Sequence, residues 1–392
     1  VLACAGALAC VLVAAPASAQ FGQQALPPPP PDAKAATPGE AHGTELRSTM
    51  RVALESAPVA QAAVLGGAAY VPLKDGRFVA VDLEAGRVKW SLDLPTSLPA
   101  VAGDALVFVA GDEMLTAVAP DATVKWRLPL PGGFSAPPAF AGGWLIVGAT
   151  GGDVLCLRAA DGKVMWTQHV GAALQPGAGI SGEVVYLGLA DGAISAHRLA
   201  DGTPIWTHKL GGAPSPILAL DDRLFVGSKD KYFYCLDTKN GKRRWRWRTG
   251  GTIVGSAAVD ERHVYFASLD NVLRALDRNG GSQRWKAGLT LRPSGGPFLI
   301  GTLVSVAGVS AEVQSYIAAT GKIASRYESQ ADLASAPQVL AGQLPELSAV
   351  LLLTRDGTLE LLRRQLEPAI VALDYVVGIE VPLDAPPPAA TP

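Results

Sequence analysis

The chain has 392 residues, a formal net charge of −2, 49% hydrophobic residues and 17% charged residues. That length accommodates two or three ordinary domains or one large repetitive one. Charge near zero excludes a nucleic-acid binder held by bulk positive charge, and the apolar content excludes a disordered chain. The 43 Gly and 30 Pro point to many turns, and three Met without charged heptads argue against a coiled coil.

In chain order, residues 1–19 form an apolar run, Val1-Leu2-Ala3-Cys4 onward, closed by the small-residue triplet Ala17-Ser18-Ala19. This reads as a secretory signal cut after Ala19. A short membrane anchor and a lipoprotein acylated at Cys4 or Cys10 are the alternatives. The run falls short of the ~20 residues that span a bilayer. Residues 20–44, with prolines from Pro27 to Pro31, read as a stiff, solvated tether. Residues 45–376 carry the folding pattern, and 377–392 form a Pro-rich tail. Removal of the signal leaves a soluble chain with no transmembrane span and two cysteines, Cys156 and Cys235.

The folding pattern is a repeat. Trp90, Trp126, Trp166, Trp206, Trp245 and Trp285 are separated by 36, 40, 40, 39 and 40 residues, a period that signals a repeat architecture. Each closes one phrase, seen as Ala80-Val81-Asp82-Leu83-Glu84-Ala85-Gly86-Arg87-Val88-Lys89-Trp90 and again from Cys235 to Trp245. The copy ending at Trp126 is a residue shorter and lacks the Gly. A seventh copy, Ser315 to Ser325, has lost the Trp, and Tyr327 falls on the same strand side two residues on. Small-residue or proline steps, from Ala57-Pro58 to Ala336-Pro337, mark eight starts. Between them lie β-rich runs and turns such as Asp75-Gly76 and Asp191-Gly192, the pattern of hairpins.

Four short antiparallel strands per forty-residue unit predict an all-β fold, an eight-bladed β-propeller. The eighth copy lacks a fourth strand. Ser48 to Val52 is the first choice to supply it, and Ile370 to Val376 the second. The tryptophans read as spacers between blades, since a ring recurring once per blade serves inter-blade packing. Cys156 and Cys235 occupy the small-residue slot ten positions before a Trp. Two blades apart, they are predicted to be buried free thiols, too distant for a disulfide.

The phrase Ala-x-Asp-x-x-(Thr/Ala/Asn)-Gly-(Lys/Arg)-x-x-Trp resembles the tryptophan-docking repeat of the quinoprotein-like propellers, over about residues 50–365. One branch of that family comprises dehydrogenases holding pyrroloquinoline quinone and calcium. The other comprises non-enzymatic propellers such as the BamB-type outer-membrane assembly lipoproteins. In length, signal and minimal repeats this chain is similar to the second. It has no vicinal cysteine pair, no haem-attachment motif, an apolar innermost strand in each blade, and five histidines without metal-ligand spacing.

The expected activity is therefore non-catalytic, with no catalytic, cofactor or metal residues. The resemblance implies a periplasmic, possibly outer-membrane-associated scaffold whose partners are envelope proteins, such as a barrel-assembly complex. A quinone-dependent dehydrogenase and a ligand- or glycan-binding propeller, the latter using Trp144 and Trp247, are the alternatives. One local feature stands out, Lys242-Arg243-Arg244-Trp245-Arg246-Trp247-Arg248. It reads either as a charge-guarded outer edge or as a partner-docking patch of Arg244, Arg246, Trp247 and Arg248.

Overall fold

A computed structural model describes residues 45–340 and 348–364. Residues 1–44 and 365–392, which include the expected signal, tether, second-choice closing strand and tail, lie outside the described residues. The described chain is all strand and turn, in eight four-stranded antiparallel sheets. Each sheet is one blade, with strands a to d in order. Strands a of neighbouring blades touch one another and form the inner ring, and strands d form the outer rim.

Blade one shows the pattern: Ala63–Leu65, Ala68–Pro72, Arg77–Asp82 and Arg87–Asp93. Its two middle strands are buried almost throughout, because both faces pack on neighbouring blades. Its outer strand alternates half-buried with exposed residues. The eighth blade closes the ring. Its first three strands are Gln338–Leu340, Ala349–Leu353 and Thr358–Arg364, and its fourth is the N-terminal Leu46–Ala53. That strand contains Ser48 to Val52 and runs antiparallel to Thr358–Arg364.

The small residue and the Trp of each repeat are cross-strand partners: Ala80 with Trp90, Ala117 with Trp126, Cys156 with Trp166, Ala196 with Trp206, Cys235 with Trp245 and Ala275 with Trp285. The indole then crosses into the next blade. Trp90, Trp126, Trp166, Trp206 and Trp285 donate Nε1–H to the carbonyls of Pro120, Ala159, Leu199, Thr238 and Ala318 at 2.7–2.9 Å. Trp245 Nε1 is buried without an acceptor.

The repeat glycine explains itself in the same contact. Gly241 has φ +67°, and a Cβ there would lie 2.4 Å from Cε3 of Trp206. Gly162, Gly202, Gly281 and Gly321 meet the preceding blade's indole in the same way. Each glycine thus supplies both a left-handed turn and a bare surface on which an indole lies. In the shorter second copy Ala122 takes the left-handed conformation instead, at φ 71°.

The last two blades lack a repeat Trp. Ser325 pairs with Ser315 in blade seven, and Met50 pairs with Leu361 in blade eight. Met50 takes over the indole's contact, 3.4 Å from a Cβ placed on Gly86 of blade one. Between blades seven and eight the substitute is polar. Glu360, 1% exposed, accepts from Arg51 Nε at 2.7 Å, Tyr327 Oη at 2.5 Å and Ser329 Oγ at 3.1 Å. Arg51 stands opposite Glu360 in the closing pair of strands, so this latch holds both the seam and its neighbour blade. Burial by itself would raise the Glu360 pKa. The hydrogen bonds from Tyr327, Ser48, Arg51 and Ser329 outweigh it and hold the carboxyl below its ordinary 4.5.

Two predictions follow from these contacts. Trp206→Ala is expected to cost about 3 kcal/mol in urea unfolding and Gly241→Ala about 1–2 kcal/mol. The double variant should fall short of the sum, because both remove one contact; a neutral Gly241→Ala would contradict the docking geometry. Glu360→Gln is expected to cost about 3 kcal/mol, the low end for a broken buried pair because Arg51 stays partly exposed. A depressed carboxyl stabilises the fold above its unfolded pKa and loses that contribution as pH falls through the folded value. Thermal midpoints of the wild type should therefore drop below about pH 4.5 more steeply than those of Glu360→Gln.

Candidate functional site

Charge is unevenly distributed around the ring. Residues 211–290, which contain blades five and six, hold fourteen Lys and Arg against eight Asp and Glu, a net of +6 in a chain whose total is −2. The outer strand of blade five, Arg243–Arg248, is the densest part of that arc. A bulge at Arg244 sets its register, since the consecutive Cys235 and Leu236 of the partner strand pair with Trp245 and Arg243. Trp245 and Trp247 lie opposite Cys235 and Phe233, and Arg246 and Arg248 lie opposite Tyr234 and Tyr232.

The four expected docking residues divide in two. Arg244 is committed within the blade, with Nη2 2.6 Å from Asp237 and 2.7 Å from Asp222. Its guanidinium holds both carboxyls below the usual carboxylate range. The same acid and cation recur in blade six, where Arg284 and Asp277 are 2.6 Å apart. Arg244 therefore belongs to the repeat rather than to a special patch. Arg246 lies over the Tyr232 ring, 4.4 Å from its centroid, a cation–π placement that leaves the residue exposed. Trp247 is half-buried and packs on the cluster of Phe225, Phe233 and Phe266. Arg248 and Arg243 are exposed and make no ion pair among the described residues. Arg243, Arg246 and Arg248 are thus the cations that face outward along a strand edge with open backbone groups.

Cys156 and Cys235 are buried and free, in different blades. Burial pushes both thiols up to about 12. Ser195 Oγ lies 2.7 Å from His197 Nε2, and His197 Nδ1 lies 3.0 Å from the Gly202 carbonyl. Both side chains are buried, at 6% and 5% exposure, and this pair ties strand to turn. Trp144 opens strand b of blade three, half-buried against the core. Among the described residues no group of three or more His, Cys, Asp or Glu is placed to hold a metal ion. Nor is any described helix long and apolar enough to cross a membrane.

Four overlapping windows, residues 39–133, 111–218, 190–291 and 269–363, match the family described as outer membrane protein assembly factor BamB. The chain belongs to the BamB family. Among solved structures, BamB from Moraxella catarrhalis is 18% identical, with a TM-score of 0.68 over 81% of this chain and 100% of that one. The computationally designed protein Ika8 reaches 0.70 at 13% identity over 80% and 99%. Quinohemoprotein alcohol dehydrogenase from Comamonas testosteroni reaches 0.64 at 13% identity over 81% and 76%. At these identities the structural likeness concerns the fold alone, which scaffolds and enzymes share. No curated protein matches the chain.

Both thiols are expected to resist an aromatic disulfide reagent at pH 8 in the native chain and to react fully in denaturant. The oxidised native chain from residue 20 onward, which holds Cys156 and Cys235 alone of the four cysteines, should keep its reduced mass. A loss of two protons would contradict the separate placement of the cysteines.

Proposed function

We propose that this chain is a non-catalytic scaffold of the bacterial envelope, secreted across the inner membrane and working in the periplasm on outer-membrane protein assembly. The observation that carries this reading is the family match, which runs through all eight blades. The apolar run ending at Ala19 supports export. The partner is a protein of the barrel-assembly machinery, held by contact and without chemistry.

The rim of blade five is the proposed contact. Its outer strand has a free edge to which an extended segment can add, with main-chain bonds giving affinity. Arg243, Arg246 and Arg248 beside Trp247 select an acidic segment, and Arg with Trp is a common pairing at interface centres. Arg244 supports the strand from within.

Crosslinking in native envelopes followed by mass spectrometry tests this. Recovery of an outer-membrane barrel-assembly subunit is expected. Arg246→Ser with Arg248→Ser should reduce that recovery about tenfold, the scale of one or two lost charge-assisted contacts, with an unchanged thermal midpoint. Absence of any such subunit would overturn the assignment. Undiminished recovery by the double variant would move the contact away from blade five.

A further inference from the structure

The repeat permits one blade to be read against another. The residue after the Trp slot pairs with the residue before the small-residue slot: Arg127 with Thr116 in blade two, Arg246 with Tyr234 in blade five, Arg326 with Gln314 in blade seven and Arg51 with Glu360 in blade eight. Three of these four arginines have a partner. Arg246 lies over Tyr232, Arg326 Nε is 3.6 Å from Glu312, and Arg51 Nε is 2.7 Å from Glu360.

Arg127 has none among the described residues. The positions that serve the other arginines hold Thr116 and Met114 in blade two, neither of them an acid or an aromatic. On the facing blade, Leu92 stands where blade seven presents Tyr327, two residues after the Trp slot. Where the latch is filled between blades seven and eight, an open groove of about 410 Å³ lies between blades one and two. Leu94, Pro95, Met114, Thr116, Arg127 and Pro129 line it.

We propose that this groove binds an extended peptide segment carrying one acidic side chain beside an aromatic or large apolar one. The carboxylate takes the place of Glu360 against Arg127, and the apolar side chain takes the place of Tyr327 against Leu94, Met114 and Pro129. Arginine is suited to this task because its planar fork matches a carboxylate. Asp112 and Glu113 also line the groove, on the turn at its end. Glu113 Oε1 already accepts from the Gly132 amide at 3.0 Å. These two carboxylates select a single acid and disfavour an acidic run. The site is distinct from the rim of blade five, and it stands on the internal comparison of blades without reference to an envelope role.

An array of hexapeptides tests it, with Glu, Gln or Lys at the third position and Tyr, Leu, Val or Pro on either side, probed with the fluorescently labelled full chain. Glu peptides flanked by Tyr or Leu should bind at least about tenfold better than their Gln counterparts, and three consecutive Glu should bind no better than one. Arg127→Gln should abolish the preference for Glu while leaving the thermal midpoint near the wild-type value. Thr116→Glu places the missing acid within the chain, so it should abolish peptide binding and raise the midpoint. Absence of binding, equal binding of Glu and Gln peptides, or wild-type binding by both variants would overturn the proposal.

Discussion

The contact on which the structure depends is an indole laid on a bare glycine turn of the next blade, with its N–H bonded to a carbonyl there. Five of the six repeat tryptophans complete that bond. The contact is a lock of two parts. A bulky ring on one outer strand is met by a left-handed turn on its neighbour, which glycine supplies at five of the six turns and Ala122 at the sixth. Burial of each ring contributes about 2–3 kcal/mol. Because each blade contacts only its neighbours, such terms add around the ring, and the ring needs a closure where the series runs out.

At the seam the chemistry changes from apolar to ionic. Met50 takes the indole's place on Gly86, and Glu360 gathers Arg51, Tyr327 and Ser329 between blades seven and eight. A buried carboxylate with three or four donors tolerates no register slip, because a one-residue shift would strand it without partners. The N-terminal strand therefore has one seat in the ring. The same pair of positions in blade two carries Thr116 and Arg127, and there a groove replaces the latch. One scaffold position thus serves closure in one blade and exposes an unpaired guanidinium in another.

Most of the fold was legible in the sequence, because a once-per-blade residue leaves a period that survives drift elsewhere. Trp spacing, Asp-Gly turns and eight starts were sufficient for eight four-stranded blades. The closing strand was narrowed to two candidates, of which Leu46–Ala53 takes the seat. What could not be read were contacts set by cross-strand register. The run from Lys242 to Arg248 looked like one patch, yet Arg244 is held by Asp222 and Asp237, and the acid of the latter pair sits inside the repeat phrase itself. Glu360 lies between Leu359 and Leu361, and it is the one acid at a position that holds Val79, Thr116, Leu155, Ser195, Tyr234, Arg274 and Gln314 in the other blades, which is a signal in the sequence. The groove at Arg127 required knowing which residues face each other across two strands.

Membership of the BamB family and an outward row of arginines on blade five support a role in holding proteins together. That role would rest on the rigidity of the interlocked ring, since a docking edge is useful only if its strand keeps its position. Hydrogen exchange of the indole N–H groups, read by NMR on a chain with ¹⁵N-labelled tryptophan, tests the interlock most directly. Slow exchange is expected for Trp90, Trp126, Trp166, Trp206 and Trp285, and fast exchange for Trp144 and Trp247. Exchange of all eight indoles at the rate of a free indole would contradict it.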